Sequence, residues 1–374
     1  MGLDGPDAIR ISPCTSSRLL SYSCYERSNR PRHGHPGRLR GTYMPVDRER
    51  DSRIFHTWYF KVVDPDERHI WALMPGVCLD RRRSSSFCFV RMLDGVTGRC
   101  VTHEYPMEQF WSSRRGFDIV CGHSRFTSTQ AQLHMEGPDL RLTGELQFAH
   151  APEWPTRPWL HRPGGPVPPV PLLEASHRVL SPDAHITGSL ILDGDEVVFS
   201  GGHGYIESDV PTQMAGGSVW IQCNHFDDPG MSLVASVSDV PVAGQLLKRI
   251  VIALVSRGTV YRWTTWNGSR LTHFMADDRH AEFTVTNGVR ILEVWAGGGA
   301  LAPRMLSPRP GVQTSVLVHE LDATVQIRLI SGSRGSGAVL ADSRGRHASL
   351  EVAGDMVLLS GSAEPEHLSA RPAQ

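Results

Sequence analysis

Two runs of this sequence gather residues that could do chemistry. Gly202-His203-Gly204-Tyr205-Ile206-Glu207-Ser208-Asp209 sets a tyrosine and two carboxylates at intervals of two. Trp220-Ile221-Gln222-Cys223-Asn224-His225-Phe226 follows after a short gap. A carboxylic acid held neutral by burial can protonate an olefin. Aromatic faces can steady the cation that forms, and amides can orient a carbonyl or a phenol. The acid candidates are Glu207, Asp209 and Glu174, with His177 beside them as a candidate base. Trp58, Tyr59, Tyr205 and Trp220 are the aromatic candidates for substrate binding, with Gln222 and Asn224 as polar partners. If Val219 to Phe226 is a strand, its period of two puts Trp220, Gln222, Asn224 and Phe226 on one face.

Each of these residues also has a plainer reading. Glu207 can be the ion-pair partner of an arginine, since charged side chains are rarely buried unpaired. Trp220 and Phe226 can be core. Gln222 and Asn224 can satisfy barrel backbone at an edge, and His177, one of 18 histidines, can be structural.

The elements that must position such a site read as short strands. Leu140, Leu142, Leu146 and Phe148 alternate with Arg141, Thr143, Glu145 and Gln147. Val325, Ile327 and Leu329 repeat the pattern, and Ser86 to Met92, Ser189 to Phe199 and the Phe283–Val285 region are further candidates. Asp193-Gly194 is a hairpin signal. Sustained helical period is almost absent. Many short strands with Gly and Asp turns argue for barrels or sandwiches. Seven prolines between Trp154 and Pro171 exclude a central strand there, because proline donates no ladder hydrogen bond.

Composition narrows the function. With 374 residues and 40% hydrophobic content the chain can hold two ordinary domains. A net charge of −1 gives no global field for nucleic acid or an anionic membrane. Lys61 and Lys248 are the only lysines among 38 basic residues, which reads as the coding bias of a GC-rich bacterial genome. Seven widely spaced cysteines without a CxxC argue against a zinc site or a disulfide framework and for a reducing cytosol. No apolar run is long enough to span a bilayer and no secretory pattern opens the chain. The nucleotide, flavin and metal motifs are absent, so no cofactor is expected. The expected layout is an irregular basic arm over 1–45, β domains over 46–195 and 196–360, and a tail over 361–374.

The two opening runs resemble the signature of the tocopherol cyclase family, G-Y-I-E-K-D-W-G leading to F-P and then W-x-Q-x-N-x-F. Phe55-His56-Thr57-Trp58-Tyr59-Phe60-Lys61, Leu173-Glu174-Ala175-Ser176-His177 and Gly345-Arg346-His347-Ala348-Ser349-Leu350-Glu351-Val352 are similar to further family segments, in the same order. The sequence departs at Ser208 for Lys, Val210-Pro211 for W-G and Met214-Ala215 for F-P. The resemblance implies an all-β fold of two lipocalin-like (calycin-type) β-barrel or sandwich domains, a fold shared with carotenoid hydratases and lipocalin-like pericyclases. It implies a cofactor-independent cyclase, an intramolecular lyase or isomerase, acting on a hydrophobic unsaturated substrate. Closure is triggered by an acid or is pericyclic, and the departures favour the second. A hydrophobic-ligand carrier of the same fold is the alternative. The expected site brings Tyr205, Glu207, Trp220, Gln222 and Asn224 together with Trp58 or Tyr59.

Overall fold

The computed structural model describes residues 53–80, 86–113, 116–150, 177–209, 217–242, 245–298, 304–306, 316–332 and 337–354. Glu174, the proline-dense crossing, the N-terminal arm and the tail lie outside them. The described residues build two antiparallel sheets and no α-helix. The expected all-β class with two barrel-like sheets holds.

The first sheet holds β1 (Arg53–Val63), β2 (Ile70–Asp80), β3 (Phe87–Asp94), β4 (Cys100–Pro106), β5 (Phe110–Ser112) and β6 (Asp118–Cys121). It continues with β7 (Ser124–Thr127), β8 (Gln130–Glu136), β9 (Arg141–His150), β10 (His177–Leu192), β11 (Asp195–Val198) and β12 (His203–Asp209). The second holds β13 (Ser218–Cys223), β14 (His225–Phe226), β15 (Ser232–Val242), β16 (Gln245–Ser256), β17 (Thr259–Thr264) and β18 (Arg270–Ala276). It ends with β19 (His280–Thr286), β20 (Arg290–Gly297), β21 (Arg304–Leu306), β22 (Val316–Ser331) and β23 (Ala338–Ala353). In the first sheet β12 inserts between β1 and β10; in the second, β13 pairs with the last strand, β23. The change of sheet therefore falls between Asp209 and Ser218, after the strand that carries Tyr205 and Glu207.

Asp193 and Gly194 join β10 to β11 with φ of 53° and 107°. Both angles lie in the left-handed region that a two-residue hairpin turn requires and that Asp-Gly supplies at little cost. Gly202 is needed for another reason: a Cβ there would sit 2.1 Å from the Val63 carbonyl oxygen.

Alternation sorts the side chains into three large cores and a small cluster of Cys78 and Phe89. Trp58, Phe60 and Val62 of β1 point into the first sheet, among Trp71, Leu73, Phe126 and Phe148. Val219, Ile221 and Cys223 of β13 point into the second, among Leu254, Trp263 and Phe283. The opposite faces of the same two strands meet in a third core that contains Tyr59, Val63, Tyr205, Trp220, Val234 and Leu321. The sheets are tied there by polar bonds as well. Asn224 donates to Asp183 Oδ1 (3.1 Å) and to the Gly204 carbonyl (3.2 Å), and Ser232 donates to the Pro182 carbonyl (3.0 Å). No described helix is long and apolar enough to cross a membrane.

Candidate functional site

The layer between the sheets holds five of the ten residues expected to do chemistry: Tyr59, Tyr205, Glu207, Trp220 and Gln222. Tyr59 and Glu207 are cross-strand partners on β1 and β12, as are Lys61 and Tyr205. On the second sheet Ser236, Trp220, Glu351 and His319 follow one another across neighbouring strands, and Val234, Gln222 and Ser349 make the next row. Tyr59 meets Trp220 edge to face at 5.3 Å between ring centroids, with Tyr205 6.2 Å from Tyr59 and 6.3 Å from Trp220. These separations are those of an aromatic cluster with π-faces turned to one another's edges.

Two hydrogen-bonded groups cross this aromatic patch. The Tyr205 hydroxyl donates to Glu207 Oε2 at 2.5 Å, and Glu207 is 1% exposed. Tyr59 Oη lies 3.1 Å from His319 Nε2 and 2.9 Å from Ser349 Oγ, and His319 Nδ1 lies 3.1 Å from Glu351 Oε2. Burial pushes the Tyr59 hydroxyl far above the usual phenol range, and the charge of Glu351 pushes the same way. Tyr59 therefore rests neutral.

Gln222 is the unusual member. It is fully buried, yet neither its Nε2 nor its Oε1 has a hydrogen-bond partner among the described residues; Trp220 Nε1 has none either. A buried polar group left unpaired costs about 1–3 kcal/mol, and native proteins keep few of them. One carboxamide offers a donor and an acceptor side by side. It fits the polar head of a molecule whose remainder packs on tyrosine and tryptophan.

The other expected residues lie elsewhere. Trp58 is next to Tyr59 and so on the opposite face of β1, inside the first sheet. It stacks on His56 at 4.1 Å and lies near Phe117 and Phe110 at 5.8 and 6.4 Å. Asn224 faces the first sheet, but its amide is spent on Asp183 and Gly204, so it ties the sheets together. Phe226 does not share the face of Trp220. The strand breaks after Cys223, the alternation shifts by one, and Phe226 joins the second sheet's core. His177 and Asp209 are cross-strand partners by backbone register, and their side chains lie outside what the structure describes. A Cβ at Gly204 would meet Phe148 and Ile186 at 3.1–3.2 Å, so a valine there would disturb the first core and not the layer.

Sequence reasoning missed His319, Ser349 and Glu351. A signal existed for two of them: in Ser349-Leu350-Glu351-Val352 the alternation puts Ser349 and Glu351 on the face opposite the core residues Leu350 and Val352. His319 carried no signal of its own.

At one end of the layer sits a cationic and imidazole cluster. Lys61 is 1% exposed and its ammonium donates to the His347 carbonyl. His347 is held between Asp322 (2.7 Å) and Glu67 (2.9 Å), and Glu67 also accepts from Arg346. Those bonds hold the Glu67 carboxyl down at about 2. Burial lowers Lys61 to about 8. A base whose folded pKa is depressed carries its full penalty below that pKa and sheds it as pH rises toward 10.5. Burial raises the neighbouring Cys223 thiol from 9.0 to about 11, which works against stability once pH passes 9. Stability should therefore rise between pH 8 and 9, and Lys61→Met should raise stability at pH 7 and abolish that rise. Denaturant midpoints at pH 7, 8 and 9 check this; a midpoint that falls in Lys61→Met at pH 7 contradicts it.

No group of three or more His, Cys, Asp or Glu among the described residues is arranged to hold a metal ion. No protein-family model matches this sequence, and no curated protein matches it. Among solved structures it is similar to kievitone hydratase from Nectria haematococca, at 10% identity over 80% of this chain and 88% of that one, with a TM-score of 0.47. It is also similar to CghA with Sch210972, at 13% identity over 82% and 89%, with a TM-score of 0.48. Identities this low carry no chemistry across, so the function must be read from this chain's own residues.

Proposed function

We propose that the protein is a cofactor-independent cyclase that closes a ring on a hydrophobic, unsaturated substrate by proton transfer, in the layer between the two sheets. The observation that carries this is Gln222: a fully buried carboxamide with both ends unpartnered among the described residues, set beside an aromatic patch and two hydrogen-bonded acid–base groups. Gln222 takes the substrate's hydroxyl or carbonyl head. Tyr59, Tyr205 and Trp220 pack on its unsaturated chain and present π-density to a developing cation. Holding head and chain together turns ring closure into a reaction of neighbours.

The atoms balance without a cofactor. Glu207 gives a proton to one olefin carbon, and a carbocation forms at the other. The substrate's hydroxyl oxygen attacks it, the C–O bond forms, and the O–H proton leaves. Nothing is oxidised or reduced.

The test uses a prenylated hydroquinone, which closes by this route, and a linear polyene ketone, which closes only by a pericyclic route. The unmutated protein should accelerate closure of the first and not the second. Gln222→Leu should weaken binding of the hydroquinone at least tenfold, read by tryptophan fluorescence. Tight binding of either compound without product makes the protein a carrier; acceleration of the polyene alone makes it a pericyclase.

A further inference from the structure

Ring closure by this route moves two protons at two different atoms. One enters at carbon and one leaves at oxygen, and the Tyr205–Glu207 pair provides only for the first. We infer that Tyr59, backed by His319 and Glu351, takes the second: Tyr59 is the catalytic base toward the attacking hydroxyl, and His319 and Glu351 are the positioning residues that carry the proton out. This rests on the proposed function and assigns the other half of its chemistry.

The geometry has the order a relay needs. Glu351 Oε2 accepts from the His319 Nδ1–H at 3.1 Å, which leaves Nε2 as an acceptor. Nε2 lies 3.1 Å from Tyr59 Oη and takes its proton. Ser349 Oγ, 2.9 Å away, holds the phenol oxygen in place. As the substrate's O–H passes its proton to Tyr59 Oη, the Tyr59 proton passes to Nε2. Tyr59 ends neutral, and the imidazolium is paired with the Glu351 carboxylate. No buried phenolate is formed at any stage, which suits a tyrosine whose burial opposes ionisation.

Exposure runs the same way. The His319 side chain is 3% exposed and that of Glu351 is 25%, so the chain ends at water. Among the described residues the titratable groups bonded to the imidazole are Tyr59 from β1 and Glu351 from β23, with Glu207 of β12 beyond Tyr59. Trp220 covers it at 6.0 Å between ring centroids. His319 and Glu351 are cross-strand partners in the second sheet, and the packing of the first sheet on it brings Tyr59 to them.

The experiment is the pH profile of single-turnover closure of the prenylated hydroquinone. The unmutated rate should fall on the acid side as the relay fills with protons. Tyr59→Phe and His319→Gln should each lower the rate by about 10²–10⁴-fold, the range for a positioned acid or base, and His319→Gln should also remove the acid limb. Glu351→Gln should slow closure more than tenfold, with Glu351→Asp restoring most of it. A merely structural His319 would change stability and leave the acid limb in place. Full rate or an intact acid limb in folded His319→Gln overturns the relay while the cyclase reading stands. No closure by the unmutated protein overturns both.

Discussion

Glu207→Gln should slow ring closure by about 10²–10⁴-fold, the contribution of a positioned acid, with the Kd for the prenylated hydroquinone changed no more than a few-fold. The substitution is nearly isosteric. The Gln carbonyl can still accept the Tyr205 hydroxyl, so the 2.5 Å contact that fixes the side chain has a replacement. What is lost is the transferable proton. Because Glu207 is 1% exposed, bulk water cannot stand in for it. Tyr205→Phe is the companion: it removes the donor to Glu207 and should cost less, since it misplaces the acid without deleting it. Single-turnover rates and fluorescence titrations on the same preparations separate chemistry from binding. A Glu207→Gln rate within threefold of the unmutated protein would move the acid to Asp209 or Glu174, or replace acid catalysis with a pericyclic closure.

The second large effect is on stability in mild acid. Burial lowers His56 to about 4 and His225 to about 3. His56 sits inside the first sheet against Trp58 and Ser208. His225 lies between the rings of His203 and His347, at 5.5 and 5.6 Å, and the positive charges of Lys61, His347 and His203 also disfavour its protonation. Both are neutral in the fold at pH 6.5, where half the unfolded chains carry a proton on each. The unfolded state binds more protons, so stability falls as pH drops from 6.5 toward 4. Each proton contributes about 1.4 kcal/mol per pH unit, so His56 alone accounts for about 3 kcal/mol. Glu67 adds to the loss below its ordinary carboxyl range as its bonds to Arg346 break. His203 acts in the opposite sense: its bond to Asp183 raises it, so it gives stability below pH 6.5 that is lost as pH rises through its folded pKa. Denaturant midpoints between pH 7 and 4.5 should fall steeply in the unmutated protein, and by one proton's slope less in His56→Leu. A flat profile would mean that these imidazoles take up protons without opening the fold.

The sequence shows several of the strands but not the faces they share. Period-two alternation and the Asp193-Gly194 turn survive in the fold because each depends on neighbours a few residues away. The dense runs at 202–209 and 220–226 do converge, and Tyr59, Tyr205, Glu207, Trp220 and Gln222 share one layer. Trp58 shows why the reading stopped short. As a strand neighbour of Tyr59 it must face the other way, and nothing local says which of two apolar faces is the barrel and which the contact between barrels. Phe226 was misplaced because the break after Cys223 has no Gly or Pro to announce it. The Tyr59–His319 bond spans 260 residues, and the Tyr59–Ser349 bond spans 290. Such contacts arise from sheet packing, which no spacing rule reports. The hydrogen-bonded Tyr205–Glu207 and Tyr59–His319–Glu351 groups are why the proposal takes proton transfer over the pericyclic route that the sequence departures favoured.

The most direct measurement is a crystal structure of the protein with the ring-closed product of the prenylated hydroquinone. The product should lie between the sheets, its oxygen within hydrogen-bond distance of the Gln222 carboxamide and of Tyr59 Oη, and its ring against Trp220. Product bound inside the first sheet against His56 and Trp58, with Gln222 untouched, would contradict the account.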